Sequence, residues 1–178
     1  MKILIDTTQE KLFVLLVQKD FSVVDYYLES EIKKSDLLNV VVTKILKDNK
    51  VSINEVDSIY VTTGPGSFMG DRAGLIFART ISQVSKIKLF TGTSFNLYVY
   101  GKEDTYYIDA KGNTSYKGKL NSNNKFEVSL VDGVESFSTP LYKEIIKSPK
   151  QLFDMFEEVK NLKEIKPTYI KEPRIGGR

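Results

Sequence analysis

Short apolar runs separated by polar breaks open the chain. Lys2–Ile5, Lys11–Gln18 (KLFVLLVQ) and Ser22–Leu28 (SVVDYYL) are apolar or β-branched. With short polar turns between them, they predict three strands in an antiparallel meander. From Asp36 to about Lys47 the period changes to a helical one, with Ser35 expected as the N-cap. Leu37, Leu38, Val40, Val41, Val42, Ile45 and Leu46 cover well over half of that helix. A single sheet-facing stripe needs only about three or four apolar residues per two turns, so a second packing partner is expected. The β-branched trio Val40-Val41-Val42 lowers helix propensity, which leaves packing to hold the helix. Val51–Asp57 reads as a connector and Ser58–Thr63 as a strand that ends in a glycine-rich turn. A helix through Ser85 and a strand at Ile87–Thr91 follow, which implies a parallel pair with a right-handed crossover. Thr93 or Ser94 then caps a short helix through Tyr100.

Thr105–Ala110, Thr114–Leu120 and Phe126–Val131 predict a second meander, broken at Lys111-Gly112-Asn113 and at Asn121-Ser122-Asn123-Asn124. Asp6 and Asp109 each lie near the end of the first strand of a meander, so the chain repeats one architectural unit. Pro149–Leu162 predicts a helix with Leu152, Phe153, Phe156, Val159 and Leu162 on its apolar side. A short strand at Thr168–Ile170 and a loose end carrying Pro173 and Gly176-Gly177 complete the chain. The expected organisation is α/β in two lobes, residues 1–100 and a smaller 101–178.

The central turn has the spacing G-x-G-x-x-x-G at Gly64, Gly66 and Gly70, with Pro65 between the first two. This is neither the dinucleotide fingerprint nor a Walker A loop, because Asp71-Arg72 stands where Lys and Ser or Thr would be needed. Along the helix that follows, Gly70, Gly74, Ala78 and Ser82 form a ridge of small residues at every fourth position. Ala73, Ile76, Phe77, Ile81 and Val84 form an apolar stripe suited to a sheet. That arrangement leaves the small ridge either as a docking side for another helix or as a second internal face.

The 178 residues suffice to bury roughly 70% of the unfolded surface. A net charge of +3 does not by itself mark a nucleic-acid binder. Cysteine and histidine are both absent. Disulfides, a thiol nucleophile, an imidazole base and any His-based metal pair are thereby excluded. Only carboxylates, Lys and Tyr remain for acid–base work. No cationic segment leads into an apolar run at the N-terminus and no apolar stretch nears ~20 residues, so a cytoplasmic, non-membrane protein is expected.

Asp6 and Asp109 have two readings: metal and phosphate ligands in a cleft between lobes, or side chains that cap turns. Arg72, in the first turn of its helix where the macrodipole disfavours a cation, either meets an anion or lays its stem on apolar surface. Asp71 either caps the helix or pairs with a partner's arginine. Tyr106, Tyr107 and Tyr116 among Lys111, Lys117 and Lys119 either stack bases or pack across strands.

The segment GPGSFMGDRAGLIFA resembles the GPGSFTGLRIG motif of the TsaB (YeaZ) family, the non-catalytic paralogues of TsaD in bacterial tRNA threonylcarbamoyladenosine synthesis. The opening MKILIDTT resembles that family's first strand and turn, and Tyr107–Lys111 with Tyr116 resembles its D-A-R-x-x-x-x-Y segment. Asp71 and Met69 depart from the motif, which carries Leu or Val and Thr there. The resemblance implies a two-lobed actin, Hsp70 and sugar-kinase-like (ribonuclease H-like) α/β fold with a shortened second lobe. It implies no catalytic residue and no metal or cofactor on the isolated chain, with ATP and a metal on partner subunits. The partners it implies are a TsaD-like catalytic subunit and a TsaE-like ATPase, with tRNA engaged through the complex and self-association as a homodimer through the same helices. Docking is expected through Leu37, Val41, Lys44, Gly70, Arg72, Gly74, Phe77, Ala78, Ile81 and Ser82. Asp6, Thr7, Gly64, Gly66, Ser67 and Asp109 would form a vestigial nucleotide cleft. In the alternative reading that cleft serves a nucleotide-dependent phosphotransferase or ATPase of the actin-like superfamily.

Overall fold

The apolar run at Lys11–Val17 becomes strand β2, whose last six residues are all buried because both of its faces are covered. A computed structural model describes residues 1–31, 33–133 and 136–171, so the expected loose end at Pro173 and Gly176-Gly177 lies outside the described residues. β1 (Lys2–Asp6), β2, β3 (Val23–Ser30), β4 (Ser58–Thr62), β5 (Lys88–Gly92) and β9 (Glu157–Glu158) form one sheet in the order β3-β2-β1-β4-β5-β9. β1, β2 and β3 pair antiparallel as a meander, whereas β1–β4 and β4–β5 are parallel. β6 (Thr105–Asp109), β7 (Thr114–Leu120) and β8 (Phe126–Asp132) form a second, antiparallel sheet.

Alternation along the strands sorts the core into two layers. Ile3, Ile5, Leu12, Val14, Leu16, Ile59, Val61 and Leu89 share one cluster with α1 (Lys34–Asp48) and α2 (Phe68–Ser85). Leu4, Phe13, Leu15, Val17 and Tyr60 share the other with β6, β7, α3 (Tyr142–Lys147) and α4 (Lys150–Asp154). The second lobe therefore packs directly on the back of the first lobe's sheet. β1 to β5 lie within residues 2–92 and β6 to β8 within residues 105–132, while β9 returns to pair antiparallel with β5.

Several expectations change in the structure. The helix expected over Pro149–Leu162 ends at Asp154. Leu152, Phe153 and Phe156 are buried, and the chain then runs along the open edge of β5, where Val159 N–H donates to Leu89 O at 2.8 Å. Satisfying that edge outweighs the helical period. Thr168–Ile170 forms no strand, although Thr168 N–H donates to Thr63 O at 2.7 Å. Ser35 is not the cap of α1, which begins at Lys34 with Lys33 in the N-cap position; the Ser35 hydroxyl donates to Asp36 instead. The half-buried Lys34 ammonium donates to the carbonyls of Thr7 and Gln9 and ties α1 to the turn after β1. The short helix α3 carries no strong sequence signal and is held by buried Tyr142 and Ile145.

The orientation of α2 is the largest correction. Its buried positions are Gly70, Asp71, Gly74, Leu75, Ala78 and Ser82, so the small ridge lies against the protein's own sheet. Ile76 and Val84, expected to face a sheet, point to solvent. The ridge brings the α2 backbone close to β1 and β4 rather than to another chain.

Candidate functional site

Two stretches some sixty residues apart interlock where α2 meets the turn after β1. Asp6 is fully buried, and its Oδ1 accepts from Thr8 N–H (3.0 Å), Thr8 Oγ1 (2.6 Å) and Thr62 Oγ1 (2.6 Å). Thr7 Oγ1 donates to Gly70 O at 2.6 Å and accepts from Gly74 N–H at 3.2 Å. Ser67 N–H donates to Thr8 O at 2.8 Å, and the Ser67 hydroxyl caps α2 by accepting from Gly70 N–H. A Cβ at Gly66 would sit 2.3 Å from Thr8 O, and one at Gly70 only 2.1 Å from Thr7 O. Both positions require glycine because a carbonyl occupies the space.

Above this junction a cleft of about 1750 Å³ opens between the lobes. Gly66, Ser67, Asp71, Asp109, Tyr116, Tyr142 and Lys171 are among the residues that line it. Of the six cleft residues expected from sequence, Gly66, Ser67 and Asp109 reach it, whereas Asp6, Thr7 and Gly64 do not line it. Asp109 closes the β6–β7 turn by accepting from Lys111 N–H at 2.8 Å, and its carboxyl also pairs with the Lys111 ammonium, which holds it below the usual carboxylate range. Both aspartates thus cap turns. Asp6 spends one oxygen on three donors beneath the cleft floor. The other oxygen has only the Tyr142 hydroxyl at 3.4 Å. Among the described residues, no three acidic side chains stand close enough to hold a metal ion.

Asp71 was not expected to be buried. It is 3% exposed, with Oδ1 unpartnered, so it neither caps α2 nor can meet a partner's arginine. Burial pushes its carboxyl up to about 8, with Asp6 adding to the rise, while the Gly66 N–H and Lys34 oppose it. Arg72 resolves differently: it lies 4.1 Å over the Phe68 ring, and its Nε donates to the Tyr169 hydroxyl at 2.6 Å. Tyr106 and Tyr116 are buried in the second core, so packing and not base stacking accounts for them.

A second surface lies on α1 and α2. A groove of about 430 Å³ between the two helices is lined by Asn39, Val42, Leu46, Phe77 and Ile81 and reaches down to Ile3 and Ile59. α2 also exposes Ile76 (61%) and Val84 (79%), next in sequence to the groove residues Phe77 and Ser85, and Met69 (67%) at the rim of the inter-lobe cleft. Among the docking residues expected from sequence, Lys44 and Arg72 are exposed and Leu37, Phe77 and Ile81 are partly buried. Val41, Gly70, Gly74, Ala78 and Ser82 are buried within the chain. No helix of the described residues is long and apolar enough to cross a membrane.

Residues 30–125, more than half of the chain, match the family model TsaD: tRNA N6-adenosine threonylcarbamoyltransferase. An uncharacterized protein of Mycoplasma pneumoniae is 35% identical over 144 residues, with 73% of each chain covered. An uncharacterized protein of Mycoplasma genitalium is 24% identical over 97% of this chain and 95% of its own. Among solved structures, a Pseudomonas aeruginosa protein described as similar to the peptidase YeaZ superposes with a TM-score of 0.73 at 16% identity, covering 96% of this chain and 99% of its own. YeaZ from the same organism gives 0.63 at 18% identity, over 78% of this chain and 71% of its own. The chain belongs to the TsaD-related family, and it carries the two-lobed, actin-like fold of the YeaZ (TsaB) proteins.

Proposed function

We propose that this chain is a non-catalytic subunit that docks a TsaD-like partner through the outer faces of α1 and α2, and so supports threonylcarbamoyl transfer to the adenosine beside the tRNA anticodon. The observation that carries this reading is that Ile76 and Val84 stand in solvent on α2, next in sequence to Phe77 and Ser85 of the α1–α2 groove. Scattered exposed apolar residues are ordinary, but a pair that adjoins an apolar groove is the surface expected of a docking site. A helix hairpin of the partner would fill the groove and cover the pair. The same face, used twice, would give a homodimer when the partner is absent. Threonylcarbamoyl transfer, ATP and metal would then belong to the partner subunits.

Light-scattering mass analysis tests this, with the chain measured alone and mixed with the TsaD-like protein of its own organism. A one-to-one complex is expected, and Ile76→Arg or Val84→Arg should abolish it while leaving the melting temperature within about 2 °C, as for other exposed positions. A mixture that shows only the separate masses, or a complex indifferent to both substitutions, overturns the docking face. Tight Mg-ATP binding by the isolated chain, lost in Asp6→Ala, would instead support the phosphotransferase or ATPase reading.

A further inference from the structure

The segment after Pro167 makes contacts that no strand or helix accounts for. Thr168 is tied to the end of β4: its N–H donates to Thr63 O at 2.7 Å, and the two threonine hydroxyls lie 2.8 Å apart. Tyr169 stacks on Phe68 at the start of α2, with ring centroids 5.4 Å apart, and receives the Arg72 Nε–H at 2.6 Å. Ile170 packs against the buried cluster that the two lobes share. Lys171 then ends in the β6–β7 turn, where its ammonium donates to Ala110 O (3.1 Å), Lys111 O (2.7 Å) and Thr114 Oγ1 (2.9 Å). An ammonium has three N–H donors, and here all three are used. Four consecutive residues therefore fasten the first lobe to the second, and Thr168, Tyr169 and Lys171 all line the cleft.

We propose that residues 168–171 are a latch across the cleft between the two lobes that governs entry to it. The fastening is polar and aromatic at the first-lobe end and purely polar at the Lys171 end, with part of each exposed. Such contacts open locally at far lower free energy than the buried sheets on either side. Opening at either end frees the crossing, so the two ends are coupled even though they touch different lobes. This inference does not depend on the partner assigned above.

The absence of cysteine allows a clean test. Ala110, a buried cleft residue next to the Lys171 end, is replaced by cysteine, and its rate of maleimide labelling is measured. Tyr169→Ala, which alters only the first-lobe end, is expected to accelerate labelling by about tenfold, and Tyr169→Phe by less, because it keeps the ring stack. Reciprocally, Lys171→Ala should speed hydrogen exchange in residues 68–72, which Lys171 does not touch. Labelling and exchange that respond only at the altered end overturn the latch. So does acceleration accompanied by equal loss of protection in β1, β2 and β4, which would report global unfolding.

Discussion

Gly70→Ala is expected to lower the thermal unfolding midpoint by roughly 10 °C, although alanine is the better helix former. On an open helix face the same substitution would gain up to about 1 kcal/mol from propensity. Here the new methyl would lie 2.1 Å from the Thr7 carbonyl oxygen, a backbone atom that cannot rotate away. Relief requires α2 to lift off β1. That would stretch the bond from Thr7 Oγ1 to Gly70 O and the bond from Gly74 N–H to Thr7 Oγ1, both buried. Overpacking together with the weakening of two buried hydrogen bonds amounts to roughly 3 kcal/mol or more. The sign of the change separates a seat against the sheet from an outward docking ridge: a midpoint that rises or stays within about 2 °C would return the small ridge to the surface.

Asp71→Asn should act in the opposite direction and be visible only above mildly acidic pH. The Asp71 carboxyl is pushed up to about 8 in the folded chain, while in the unfolded chain it titrates near 3.9, the ordinary aspartate value. Between those two values the folded state binds the extra proton, so stability falls as pH rises from about 4 to about 8 and levels off above. At pH 7 the accumulated cost is on the order of 4 kcal/mol. Asparagine keeps the shape, carries no charge to bury and cannot titrate. Thermal scans should place the variant about 10 °C above the parent at pH 8, with the two converging toward pH 4. Parallel pH profiles for parent and variant would show that Asp71 is ionised and compensated.

Most strands and both long helices could be read from periodicity because their burial is regular. The run KLFVLLV is continuously apolar after Lys11, the pattern of a strand covered on both faces, and Lys2–Ile5 repeats it. What periodicity cannot supply is the identity of the neighbour. Gly70, Gly74, Ala78 and Ser82 mark a close approach, but the spacing is identical whether the approaching backbone belongs to this chain or another; Thr7 decides it. Leu152, Phe153, Phe156 and Val159 fit a helix equally well, and the unpaired edge of β5 claimed Val159. Asp71 lies next to an arginine in a polar dipeptide, and nothing local announces a buried carboxyl. The sequence pattern places Gly66, Ser67 and Asp109 at the cleft, but Tyr169 meets Arg72, 97 positions away, and Lys171 meets Ala110, 61 positions away, contacts that leave no pattern along the chain.

The two-residue strand β9 also bears on how the protein avoids associating with itself indiscriminately. Without that strand, β5 would end a five-stranded sheet with a free row of amide and carbonyl groups beside Leu89 and Phe90, a template for intermolecular pairing and aggregation. Glu157 and Glu158 occupy that row, and their carboxylates pair with Lys125, Lys88 and Lys160. Any strand approaching this side meets a short, charged border instead of an open edge.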